Sequence, residues 1–158
     1  MNPATFITSE PAKTVVFVDS TLPEWRDLLK SVPQDAEVVV LDASKNGVAQ
    51  MTDYLKDKAA VGSVHVLSHG GDGYLLLGNT LLSASNLDDY QGKFAQISKV
   101  IAPGGSIFLY GCDVAQSPVG TDFVNQLSQH TGAAVAASTN DTGAGGDWVL
   151  EYHSGEVA

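Results

Sequence analysis

Short β-branched runs that each close on a polar residue or a glycine, with helical periodicity between them, constrain this chain more than any other feature. Val15-Val16-Phe17-Val18 closes on Asp19-Ser20, Glu37-Val38-Val39-Val40-Leu41 on Asp42, Val64-His65-Val66-Leu67 on Ser68-His69-Gly70-Gly71, and Ile107-Phe108-Leu109-Tyr110 on Gly111-Cys112-Asp113. Ala134 to Ala137 is a further run, and Trp148-Val149-Leu150-Glu151-Tyr152 is a final alternating one. Runs that are apolar throughout are the signature of strands buried on both faces, as in parallel sheets.

The intervening segments read as helices. Thr21-Leu22-Pro23-Glu24 has capping-box spacing ahead of Trp25, Leu28 and Leu29, which predicts a helix ending near Pro33. Val48, Met51, Leu55 and Ala59 share a face of a second helix, closed by Gly62. Ser85 is placed to cap a third, which carries Leu87, Tyr90, Phe94, Ile97 and Ile101 and breaks at Pro103-Gly104-Gly105. A fourth carries Phe123, Val124 and Leu127 and stops at Gly132. Tyr74 to Leu77 and Thr80 to Leu82, joined by Gly78-Asn79, form a hairpin. Strands alternating with helices predict an α/β fold, a three-layer α/β sandwich around a mostly parallel sheet.

A length of 158 residues suits one domain. We assign residues 14–158 to it and read residues 1–13 as a linker, the whole being a piece of a larger protein. With 44% hydrophobic and 16% charged residues the chain is expected to fold, and its net charge of −10 repels phosphate backbones and anionic lipid. Nucleic acid is therefore not an expected partner. No stretch approaches the roughly 18 apolar residues of a membrane span, so no membrane insertion is expected, and the N-terminus lacks the features of a signal peptide. A single cysteine excludes an intramolecular disulfide and a zinc site built from several thiolates.

In a parallel sheet with right-handed crossovers every strand ends on one edge, and ligands bind there. Asp19, Asp42, His69, Cys112, Asp113 and Ser138 all fall at that edge. A thiol and an imidazole at adjacent strand ends suit nucleophilic catalysis, with backbone N–H groups holding an oxyanion. Cys112 is expected just before a helix N-terminus, whose dipole favours a thiolate, while Asp113 opposes it. Asp19, Asp42 and Asp113, with Ser138, are candidates for binding substrate in an acidic cleft that favours a basic side chain; the alternative is that the carboxylates cap helices or are simply solvated. His65, His130 and His153 read as structural.

Strand–Ser68-His69-Gly70 followed by strand–Tyr110-Gly111-Cys112 resembles the caspase-like cysteine peptidases, in which His-Gly ends one strand and Cys the next. The phrases VHVLSHGGDGYLLLG, LYGCDVA and VAASTNDTGAGGDWVLEY are more closely similar to an uncharacterised domain near the N-terminus of very large bacterial surface and adhesin-like proteins. The resemblance implies a caspase-like fold, Cys112 as nucleophile, His69 as general acid, and the N–H groups of Gly70 and Cys112 as oxyanion hole. It departs from the caspase pattern at Gly111, where caspases have alanine.

Two functions follow as expectations. One is a cysteine endopeptidase whose partner is a protein or peptide substrate, its own parent chain or a co-secreted protein, at the cell surface or outside the cell. The other is a catalytically silent α/β spacer or binding module of an adhesin. No cofactor is required by either. Gly70-Gly71-Asp72-Gly73 and the loop after Ser138 are weak Ca²⁺ candidates, the latter through Asp141 or Asp147, and turn chemistry is the simpler reading. That second loop, running to Trp148 with few apolar anchors, is expected to be a mobile specificity loop.

Overall fold

The computed structural model describes residues 13–23, 25–32, 34–140 and 150–154. Among the described residues the main sheet has six strands: β1 (Lys13–Asp19), β2 (Glu37–Leu41), β3 (Val61–Leu67), β7 (Ile101–Leu109), β8 (Ala134–Ala137) and β9 (Tyr152–Ser154). They are ordered β2-β1-β3-β7-β8-β9. All neighbours are parallel except β8 and β9. A separate antiparallel sheet, β4 (His69–Gly71), β5 (Tyr74–Leu77) and β6 (Thr80–Ser83), leaves the carboxyl end of β3.

Alternation along the strands sends side chains to opposite faces. Val15, Phe17, Val64, Val66, Ile107, Leu109, Val135 and Ala137 pack under α2 (Gly47–Leu55), α3 (Gln91–Val100) and α4 (Pro118–Thr131). On the other face Val16, Val18 and Leu67 are covered by Leu22, Trp25, Leu29 and Val32. The result is the expected three-layer α/β arrangement, with its second helical layer formed, among the described residues, by α1 (Trp25–Leu28) and a 3₁₀ turn over Leu29–Ser31.

Several local expectations are corrected. Thr21 caps no helix: its hydroxyl donates to Asp19. In β2 the side chains of Val38 and Val40 are 41% and 42% exposed, because β2 is an edge strand and only its Val39/Leu41 side meets the core. The second helix stops at Leu55, four residues short of Ala59, which is exposed. Ser85 caps nothing. Asn86 instead accepts from the Ser83 N–H and donates to the Leu81 carbonyl, and a 3₁₀ turn over Leu87–Tyr90 leads into α3.

Ile101 already belongs to β7, where Val61 faces Ile101 but Ser63 faces Ser106, so Pro103-Gly104-Gly105 is a bulge in a strand. Proline, which lacks an N–H, and glycine at φ 79° suit such a bulge. By contrast α4 ends at Gly132 as its sequence reads, although it begins at Pro118 and not directly after Cys112. Ser117 accepts from the Val119 N–H, Pro118 takes the first turn, and Gly132 closes the helix at φ 71°. The last strand covers Tyr152–Ser154 and shares only Tyr152 with the expected run: Leu150 and Glu151 precede it outside any strand, while Trp148 and Val149 lie outside the described residues, as does most of the 1–13 linker. Among the described residues no helix is long and apolar enough to cross a membrane.

Candidate functional site

The small sheet lies across the carboxyl edge of the main one and is fixed at both ends. Leu75, Leu77 and Leu82 on its inner face are 1%, 0% and 2% exposed, so it is sealed to the core. Its tip, Gly78-Asn79, docks on the loops that leave β1 and β2. The Gly78 N–H donates to Asp19 Oδ2 at 2.8 Å, and the Asn79 N–H donates to the Lys45 carbonyl at 2.9 Å. A β-carbon at Gly78 would stand 2.1 Å from that same Lys45 oxygen, and φ is 62°, so glycine is required twice over. At its other end the Gly73 N–H donates to the Val114 carbonyl at 3.0 Å. There Asp72 accepts from both the backbone N–H and the hydroxyl of Ser117, the cap of α4.

This clamping brings the His69 and Cys112 arms together. β3 and β7 are neighbours, and the Tyr110 N–H continues their ladder to the Val66 carbonyl at 2.9 Å. Beyond the strands Gly70 packs directly on Gly111: a β-carbon built at Gly70 would lie 3.2 Å from the Gly111 Cα, and one built at Gly111 would lie 3.3 Å from the Gly70 Cα. The residue after the imidazole thus touches the residue before the thiol. Larger side chains at either position would force the arms apart.

The His69 ring is exposed, and its Nε2 faces the Thr21 carbonyl at 3.4 Å. Thr21 is itself held, since Asp19 Oδ1 accepts from its N–H at 2.9 Å and its hydroxyl at 2.7 Å. Cys112 is half-buried. The turn after it is laced to the exit of β8, with the Asp113 N–H donating to the Asn140 carbonyl and the Ala115 N–H to the Ser138 carbonyl, both at 2.8 Å. Asp113 reaches this geometry at φ 59°, a left-handed conformation that aspartate enters more readily than most residues.

The remaining expected site residues separate into different roles. Asp19 is fully buried with both oxygens occupied, so it cannot line a substrate cleft; it positions Thr21 and the hairpin. Asp42 is exposed, and its Oδ1 accepts from the Ser44 N–H and hydroxyl, which hold its pKa below the ordinary carboxylate range. The cap of the following helix is Asn46, not Asp42.

Ser138 is also fully buried, bonding through its hydroxyl to Asn140 and Glu151, which removes it from substrate contact. Cys112 is separated from α4 by the turn through Gln116 and the cap Ser117, so it is not the residue that precedes a helix. The Asp72 carboxylate serves α4 through Ser117. Asp141, Asp147 and the loop ahead of Trp148 lie outside the described residues.

The other histidines have structural surroundings. His65 stacks on Phe108 at 4.6 Å between ring centres and meets the Tyr110 hydroxyl at 3.1 Å, and burial lowers its pKa. His130 lies 3.6 Å from Asp88, and His153 Nε2 lies 2.8 Å from the Leu150 carbonyl. Thr21, expected as a helix cap, instead presents its carbonyl to His69, and Asp72, expected in a turn or a weak Ca²⁺ loop, holds the cap of α4. Their signals were the Asp-x-Thr spacing, which favours a side-chain turn, and an aspartate between glycines opposite a serine cap.

A family model described as a domain of unknown function, DUF4347, matches residues 15–158, and the chain belongs to that family. No curated protein matches it.

Proposed function

For this member of the family we propose a cysteine endopeptidase that acts on its own parent chain or on another surface protein. The observation that carries the reading is the Gly70–Gly111 contact, which sets the His69 and Cys112 arms side by side on a rigid edge. With its Nε2–H donated to the Thr21 carbonyl, His69 presents Nδ1 for proton transfer. The Cys112 thiol gives its proton to His69 Nδ1, the resulting thiolate attacks the scissile carbonyl carbon, and the N–H groups of Gly70 and Cys112 stabilise the oxyanion. As the C–N bond breaks, His69 delivers its Nδ1 proton to the leaving amine, leaving a thioester on Cys112. Water then adds to the thioester, giving its proton to His69, and the acid product and the thiol are released.

A second reading, a catalytically silent spacer or binding module, is favoured by Asp113, whose charge beside Cys112 opposes thiolate formation. Intact-mass analysis of the parent protein separates the two. Defined fragments from wild type that vanish in Cys112→Ala support the peptidase; an identical, uncleaved mass for both supports the module.

A further inference from the structure

The outer face of the small sheet carries a row that the site leaves unexplained. Its register places Leu76 directly opposite His69 and Leu81 directly opposite Leu76. Side chains opposite one another in antiparallel strands share a face, so His69, Leu76 and Leu81 form one line across three strands. The two leucines are 37% and 48% exposed, whereas Leu75 and Leu82 on the inner face are buried. The Tyr74 ring lies over Gly71 on the same outer side, and a β-carbon at Gly71 would stand 2.4 Å from it. Single exposed leucines are ordinary, but a cross-strand pair continuous with an imidazole, on a chain of net charge −10, is an apolar strip in an acidic surface.

Resting on the peptidase reading, we propose that Leu76 and Leu81 are the subsite for the leaving-group side of the substrate and select apolar side chains there. His69 hands its proton to the departing amine, so the segment that leaves with that amine runs past His69. Strands stand about 4.8 Å apart and an extended peptide rises about 3.3 Å per residue. Leu76 and Leu81 therefore fall within reach of the first three residues after the scissile bond. No carboxylate lies in this row, so the selection is by apolar contact and not by charge.

The experiment starts with wild-type cleavage of a peptide library read by mass spectrometry, expected to enrich Leu, Ile, Val, Met or Phe within three residues after the cut. The best sequence is then made in two forms, a peptide extended past the cut and a reporter amide that ends there with a fluorescent amine. In the Leu76→Ser/Leu81→Ser variant the ratio of kcat/KM on the extended form to that on the reporter should fall about tenfold, and Leu76→Met/Leu81→Met should restore it. An unchanged ratio, or a library without enrichment after the cut, overturns the subsite while leaving the peptidase intact. Absence of cleavage by wild type overturns the peptidase reading itself, and the subsite with it.

Discussion

Asp19-Ser20-Thr21 and Asp42-Ala43-Ser44 are the same device in two places. Each follows a strand of the parallel sheet, and in each one carboxylate oxygen accepts from the N–H and the hydroxyl two residues on. Their surroundings differ. Asp19 sits at the end of β1, with β2 and β3 on its two sides, and its second oxygen takes the N–H of Gly78. Asp42 leaves the edge strand β2 in solvent. A local turn motif thus becomes a tertiary link only where burial withholds water as an alternative partner. At Asp19 the link reaches the candidate site, because the turn it holds presents the Thr21 carbonyl to His69.

Removing each carboxylate should break the symmetry of the pair. Asp19→Ala leaves the N–H groups of Thr21 and Gly78 and the Thr21 hydroxyl without their acceptor, and should cost about 3 kcal/mol in urea unfolding. A loss no larger than that of the Asp42 variant would show the Gly78 link to be dispensable. Thr21→Val keeps the backbone bond and deletes the hydroxyl, and should cost about 1 kcal/mol by the same measurement. Asp42→Ala should shift the urea midpoint far less than either, since water replaces the carboxylate at an exposed turn.

The finest test is a titration of Asp42. Its folded pKa lies below the unfolded value because the Ser44 hydroxyl, and then the Ser44 N–H, stabilise the charged form. Its contribution to stability is therefore present above an unfolded pKa of ~3.9 and fades as pH falls through the lower folded value. Side-chain carboxyl NMR should show Asp42 titrating below that reference in the wild type and returning toward it in Ser44→Ala. A titration at the reference value in both would remove the hydroxyl from the account.

Much of this arrangement was legible in the residues. The run Glu37–Leu41 and the run Ala134–Ala137 are strands at those bounds, and the stop of α4 at Gly132 is where the sequence put it. Such features are decided within a few residues, by burial pattern, φ preference and capping groups. His69 and Cys112 were legible as strand-end residues because connection handedness leaves a parallel sheet one carboxyl edge.

What the sequence by itself determined is the α/β class, the strand and helix identities with the most periodic patterns, and the edge on which the polar residues gather. Only the tertiary structure decided which of those residues can meet a ligand. Asp19, Asp42, Asp113 and Ser138 look alike as polar strand-end residues, yet two are fully buried in hydrogen-bonded turns, one stands in solvent, and one sits half-buried in a left-handed backbone turn. Thr21 and Gly78, remote in the chain, were joined through a single carboxylate, and Val38 and Val40 were left exposed by strand order alone. The reason is physical: a side chain's local bonding follows from its neighbours in sequence, but its access to water, which sets the worth of every polar contact, is fixed only when distant segments pack over it.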